Sequence, residues 1–151
     1  MKSLILITSL LLIASSARAE EKQKVLTLEL AKKIAAKAES YSKKKNWKMS
    51  IAIVNSEGNL MYLQRDPEAF VGSIEASIQK AQSSNDFQRP TSAFVERVKQ
   101  GSTGIIGLKN VIALEGGVPI LLGGKFVGAI GVSGAKSTED EETAKAAVDF
   151  E

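Results

Sequence analysis

The chain of 151 residues contains no cysteine and no histidine. Without cysteine no disulfide can form, whatever the compartment's redox state. Without histidine, Ser-His-Asp and Cys-His catalytic systems are excluded. So is any zinc or haem site held by imidazole. Phosphate-loop signatures are missing too. Gly128, Gly131 and Gly134 recur at intervals of three, which is not G-x-G-x-x-G, and no G-x-x-x-x-G-K-[ST] occurs. The chain also lacks an internal repeat and a linker long enough to divide it.

One apolar run stands out, at the start. MKSLILITSLLLIASSARAEE has a basic start at Lys2, an apolar stretch from Leu4 to Ile13, and small residues at Ala17 and Ala19. This is the pattern of a secretory signal peptide, residues 1–19, cleaved after Ala19. The run is too short for a spanning helix, which needs about 20 apolar residues. No later segment is apolar enough to span, so no transmembrane segment is expected after cleavage. The expected product is exported, and periplasmic in a Gram-negative host.

Cleavage would also remove Lys2 and Arg18. The 20 basic residues become 18 against 17 acidic ones, and the formal charge falls from +3 to +1. Nucleic-acid binders carry a clustered basic face. The densest cluster here, Lys43-Lys44-Lys45 with Lys48, sits where a helix is expected to end, and cations there suit the helix dipole. No nucleic-acid partner is expected.

Residues 20–26 read as a loose tail before a single domain over 27–151. Thr27 caps a helix over about 28–44, with Leu30, Ala31, Ile34, Ala35 and Ala38 on one face. Residues 49–54 and 59–65 alternate and flank Asn55-Ser56-Glu57-Gly58, which predicts a β-hairpin. In the second strand, alternation puts Tyr62 with Leu60, and Met61 with Leu63. A helix from Ser73 to Arg89 has Ile74, Ile78 and Ala81 as its inner stripe, and Thr91 caps a short helix closed by Gly101. Val111–Leu114 reads as a short strand. Residues 119–122 and 126–133 are strands joined by Gly123-Gly124-Lys125, a tight hairpin connection. Alternation groups Phe126, Gly128, Ile130 and Val132 on one face, and Val127, Ala129, Gly131 and Ser133 on the other. Bare Gly128 and Gly131 leave room for a helix or a second subunit to lie close. Ser137 or Thr138 caps a last helix from about 138, with Asp140 or Glu141 completing the capping box. Five antiparallel strands with segregated helices make an α+β fold.

Two sets of motifs extend this reading. The first is GGVPILLGGKFVGAIGVSG followed by EDEETAKAA. The second is Arg65-Asp66, Ser73-Ile74, Ala76, Lys80-Ala81 and Arg89-Pro90-Thr91. In this order they resemble the GlcG/HbpS-like haem-binding family, over nearly the whole chain from Leu26. The resemblance implies a profilin-like α-β-α domain with a five-stranded antiparallel sheet flanked by helices. It implies symmetric homo-oligomers and binding of haem or a related tetrapyrrole, with haem degradation claimed for some members. The chain departs from the family's pattern at Asn55, Asp66-Pro67 and Thr143.

The candidate cofactor-binding residues follow. Lys80 and Arg65 are cations for haem propionates. Lys80 could instead pair with Asp140 or Glu141. Tyr41, Tyr62, Met49 and Met61 are the available oxygen and thioether ligands for iron, with Tyr62 and Met61 the candidates, although no metal ligand is assigned. Gly116, Gly117 and Pro119 could shape a pocket wall with free backbone N–H groups. No catalytic residue is assigned. The leading expectation is an exported haem-binding protein for storage, scavenging or sensing. The alternatives are an oligomeric partner or sensor module without a tight cofactor, and an enzyme acting on a small carboxylated metabolite through Lys80 with Asp140 or Glu141.

Overall fold

The computed structural model describes residues 25–149; the expected signal peptide lies outside them. The elements are α1 (Leu28–Lys44), β1 (Ser50–Asn55), β2 (Leu60–Arg65), α2 (Ser73–Phe87), α3 (Ser92–Lys99), a 3-10 turn (Thr103–Gly107), β3 (Gly117–Leu122), β4 (Lys125–Ser133) and α4 (Ser137–Val148). The fold is α+β. The sheet has the order β2-β1-β4-β3, and every neighbouring pair is antiparallel. Helices α1 and α4 cover one face and α2 the other.

The sheet has four strands, not five. Residues 111–114 run beside α2 without joining a ladder. Their backbone finds other partners: Ile112 N–H donates to Ser83 Oγ at 3.2 Å, and Val111 N–H to Leu108 O at 3.3 Å. A segment whose donors are met by a turn and a helix side chain gains little from pairing with a strand.

The two faces of the sheet pack differently. Ala31, Ile34, Ala35 and Ala38 of α1 recur at helical spacing and are buried against Ile51, Ile53, Ile130 and Val132. Thr27 Oγ1 starts this helix by accepting the Leu30 N–H at 3.2 Å. Leu26, read as part of a loose tail, is 2 % exposed in the same aliphatic layer. The other face is lined by the small side chains of Ala52, Val54 and Ala129, with Ala81 of α2 packed on them. There Gly131 lets α2 approach backbone to backbone. A Cβ on it would lie 2.0 Å from Ser77 O.

That approach explains a difference in α2. Its buried residues are Ser73, Ser77, Lys80, Ala81, Ser83, Ser84 and Asn85, while Ile74 and Ile78 are only half-buried. Beneath a helix so close to the sheet the buried side chains are mostly short, with Lys80 running out to Asp140. The Ser77 and Ser84 hydroxyls donate to Ile74 O and Arg89 O, so their burial leaves no orphan donor. The helix ends at Phe87, two residues before Arg89, with Gln88 in the left-handed region.

Two register shifts alter the expected faces. Ile120 pairs with Gly128 and Leu121 with Phe126, so Val127 is an extra residue in β4. Val127 is therefore buried with Ile130 and Val132, not grouped with Ala129 and Gly131. In β2, Ile53 pairs with Tyr62 and Val54 with Leu60, which makes Met61 the extra residue. Tyr62 and Leu60 thus fall on opposite faces, and Met61 joins Tyr62 at the border of the aliphatic layer.

Candidate functional site: a sealed ion pair beside an acidic cleft

Lys80 projects from α2 and Asp140 from the first turn of α4. Lys80 Nζ lies 2.6 Å from Asp140 Oδ2 and donates to Val132 O at 3.1 Å. Their side chains are 2 % and 3 % exposed. Asp140 Oδ1 accepts the Ala135 N–H at 3.0 Å. Burial raises the Asp140 carboxyl above its ordinary value, against the opposing pull of the Lys80 ammonium and the Ala135 N–H. Desolvation outweighing attraction is the usual situation for a buried pair. The pair therefore ties α2, β4 and α4 together without a large net gain in stability. It also presents almost no surface to a ligand.

Local sequence explains how Asp140 reaches Lys80. The first-turn capping contact falls to Glu139, whose Oε2 accepts the Lys136 N–H at 3.1 Å. Asp140, one of the two acids read as completing the box, is left to turn inward.

Gly116 and Gly117 form the wall over this pair. Gly116 has φ +123°, and a Cβ there would lie 2.9 Å from Asp140 Cβ and 3.1 Å from Lys80 Cδ. A Cβ on Gly117 would lie 2.2 Å from Lys80 O. The Gly117 N–H is not free: it donates to Thr91 Oγ1 at 2.9 Å, and Thr91 N–H returns a bond to Gly117 O at 3.0 Å. Thr91, read as a helix cap, makes no side-chain cap bond, because its hydroxyl clamps α3 to β3 instead.

Glu141 is adjacent in sequence but faces elsewhere. It lines a surface cleft of about 460 Å³ with Ser92, Glu115, Thr138, Glu142 and Lys145. Its Oε1 accepts from Ser92 Oγ at 3.0 Å and lies 2.5 Å from Lys145 Nζ. Its Oε2 is buried with no hydrogen-bond partner among the described residues. Glu142 is held below the usual carboxylate value, chiefly by the Tyr41 hydroxyl that donates to it. Three carboxylates against Lys145, and Lys45 at 3.5 Å from Glu142, leave this cleft with a net negative charge.

The remaining candidates lie apart. Tyr62, Met61 and Arg65 belong to β2, at the sheet edge opposite β3. Three strand spacings put the two edges roughly 14 Å apart. Tyr62 hydroxyl donates to Gln64 Oε1 at 3.3 Å. Arg65 donates to Ala69 O, and its Nε is buried without a partner among the described residues. Pro119 is on β3, paired with Ala129. One copy of the chain therefore does not gather the nine candidates. It brings Lys80, Asp140, Gly116 and Gly117 together, puts Glu141 next to them, and separates the β2 trio.

Sequence reasoning missed a second cleft, of about 400 Å³, lined by Arg97, Ser102, Gly104, Ile105 and Leu108. Leu108 and the neighbouring Ile106 are exposed. The available signal was an Ile-Ile-x-Leu run inside a glycine-punctuated loop, where no helical or strand period calls for burial. No group of three His, Cys, Asp or Glu among the described residues could hold a metal ion. No helix among them is long and apolar enough to cross a membrane.

Comparison with known proteins places this geometry. GlcG of Escherichia coli K12 is 33% identical over 109 residues, covering 72% of this chain and 81% of that protein. The crystal structure of HbpS superposes with a TM-score of 0.77 at 32% identity, covering 87% of this chain and 95% of that one. A PduOC:heme complex has a TM-score of 0.75 at 20% identity over 83% of this chain and 94% of that one; at that identity it attests the fold alone. The family profile described as "Haem degrading protein HbpS-like" matches residues 26–149, and the chain belongs to this HbpS-like family.

Proposed function

We propose that this protein binds haem or a related tetrapyrrole, after export, for storage, scavenging or sensing. The observation that carries the reading is the match of the described domain to a family whose description names haem. Binding is the step that degradation of haem would also require.

Charge separates the cleft at Glu141 from the cleft at Ile105. Haem has an apolar face and two carboxylates. The cleft at Glu115, Glu141 and Glu142 would repel those carboxylates. The cleft at Ile105 and Leu108 offers apolar surface with the Arg97 guanidinium beside it, a combination that suits an amphipathic anion. Bound haem would supply the iron chemistry; Arg97 would orient it through a propionate. Histidine and cysteine are absent, so any ligand this chain gives iron must be an oxygen, thioether or amine.

Assembly into homo-oligomers is part of the same proposal. Leu60, Leu63, Phe70 and Val71 are exposed near the free edge of β2. A second copy meeting that edge would bring Tyr62, Met61 and Arg65 to the junction.

Soret titration of the chain starting at Glu20, with sizing chromatography, tests both parts. Saturation at one haem per subunit is expected, with affinity reduced about tenfold in Arg97→Glu through loss of a charge-assisted contact. Unsaturable uptake, equal in wild type and variant, would refute the haem reading. Export is checked by fractionating cells that express the full chain.

A further inference from the structure

We propose that the cleft between α3 and α4 binds a small organic ammonium, with Glu141 as the anchoring carboxylate. This site is separate from the haem reading and does not depend on it.

The argument starts from an unmet acceptor. Glu141 has a side chain only 7 % exposed. Its Oε1 is met by both Ser92 Oγ and Lys145 Nζ, whereas its buried Oε2 has no partner among the described residues. A buried carboxylate oxygen left without a donor loses its hydration and gains nothing in return. The arrangement lacks a donor at one defined place.

The donor's charge follows from the lining. Glu115, Glu141 and Glu142 line the cleft with Lys145, and Lys45 lies 3.5 Å from Glu142; carboxylates still outnumber ammoniums, so an anion is disfavoured and a cation favoured. A metal ion fits poorly, because hard cations take six or more oxygens and no suitable group of side chains is found among the described residues. An ammonium fits better. It carries three donors, for the Glu141 carboxylate and for the hydroxyl oxygens of Ser92 and Thr138 that also line the cleft.

Lys145 shows how the site is filled without a ligand. Its ammonium lies 2.5 Å from Glu141 Oε1 while its side chain is 60 % exposed. It therefore covers the carboxylate from the solvent side and can swing away at little cost in packing. A free ammonium would take its place and, being untethered, could satisfy both carboxylate oxygens. Lys145 is thus an internal competitor, and its removal should strengthen binding. A diamine fits the lining further, since Glu115 remains for a second positive end.

Isothermal titration of the haem-free protein with 1,4-diaminobutane at low salt tests the proposal, with 1-butanol and magnesium chloride as comparisons. Saturable binding of the diamine alone is expected. Lys145→Met should tighten it several-fold, and Glu141→Gln should weaken it about tenfold. Glu29→Gln, on the exposed side of α1, should change nothing. Lys145→Met removes an exposed side chain and keeps the test valid even if Glu141→Gln unfolds. Equal affinity in wild type and Lys145→Met, or no saturable heat in either, would overturn the proposal. So would magnesium competing as well as the diamine. Failure of haem titration would leave these outcomes untouched.

Discussion

Removing one partner of the Lys80–Asp140 pair should produce different pH dependences according to which partner is removed. In Lys80→Met, Asp140 keeps the Ala135 N–H but loses its counter-charge. It can escape by taking up a proton. From an unfolded value near 3.9, that proton costs at most about 4.2 kcal/mol at pH 7 and about 1.5 kcal/mol at pH 5. The variant should therefore regain up to about 2.7 kcal/mol on acidification from pH 7 to 5. The sign follows from linkage. A carboxyl raised in the folded state contributes stability that is complete below its unfolded value and is lost as pH rises through its folded value. Burial already raises Asp140 in the wild type, so the variant exaggerates an existing trend. In Asp140→Asn the carboxyl that takes up the proton is gone, so no recovery is expected on acidification. Each single variant should lose roughly 3–5 kcal/mol at pH 7. In the double variant Lys80→Met/Asp140→Asn, the new amide can still accept from the Ala135 N–H and no charge is left unpaired. Its loss should fall well short of the sum of the single losses. Urea unfolding followed by circular dichroism between pH 5 and 8 measures all three. A Lys80→Met variant that is flat or less stable in acid would refute the claim that burial dominates Asp140.

Two further outcomes follow from backbone geometry. Gly117→Ala and Gly131→Ala place a Cβ 2.2 Å from Lys80 O and 2.0 Å from Ser77 O. Both atoms are main-chain, so α2 must shift, and each variant should lose about 1–3 kcal/mol or more in chemical denaturation. Wild-type stability in either would show that α2 does not lie so close. The bulge in β4 is tested by Val127→Asp against Phe126→Asp. Val127 is 3 % exposed and Phe126 only half-buried. The Val127 change should therefore be clearly the more damaging, by about 2 kcal/mol or more, because it buries an unpaired carboxyl. The reverse order in thermal melts would restore strict alternation through that strand.

What the sequence revealed and concealed follows from what generates periodicity. Ala31, Ile34, Ala35 and Ala38 repeat at helical spacing because one face of α1 is dry, and that pattern needs no knowledge of partners. Gly123-Gly124 marks the β3–β4 turn for a similarly local reason. The bulges at Met61 and Val127 have no such signature. A single inserted residue leaves composition unchanged but moves side chains to the other face, so the groupings of Tyr62 with Leu60 and of Val127 with Ala129 failed together. The serine face of α2 was hidden by a different effect. Its burial is set by Gly131 on another element, fifty-four residues from Ser77, and polarity alone reads it as solvent-facing. Val111–Leu114 looked like a fifth strand because its side chains are apolar, whereas pairing depends on where backbone donors go.

The site shows the same division more sharply in two adjacent acids. Asp140 and Glu141 are about 100° apart around α4, and that rotation sends one beneath β3 to Lys80 and the other toward α3. Their side chains are 3 % and 7 % exposed, so burial alone does not distinguish them. Their partners do. Asp140 has both oxygens met by groups of its own fold, Lys80 and the Ala135 N–H. Glu141 has one oxygen met by Ser92 Oγ and an exposed lysine, and one met by nothing among the described residues. A carboxylate satisfied from within holds elements together and resists exchange. One that is satisfied by a displaceable side chain can accept a substitute for it. Sequence supplies the residue types for both roles; only the positions of the donors assign the roles, which is why Lys145, an ordinary exposed lysine by sequence, is the residue whose removal best separates them.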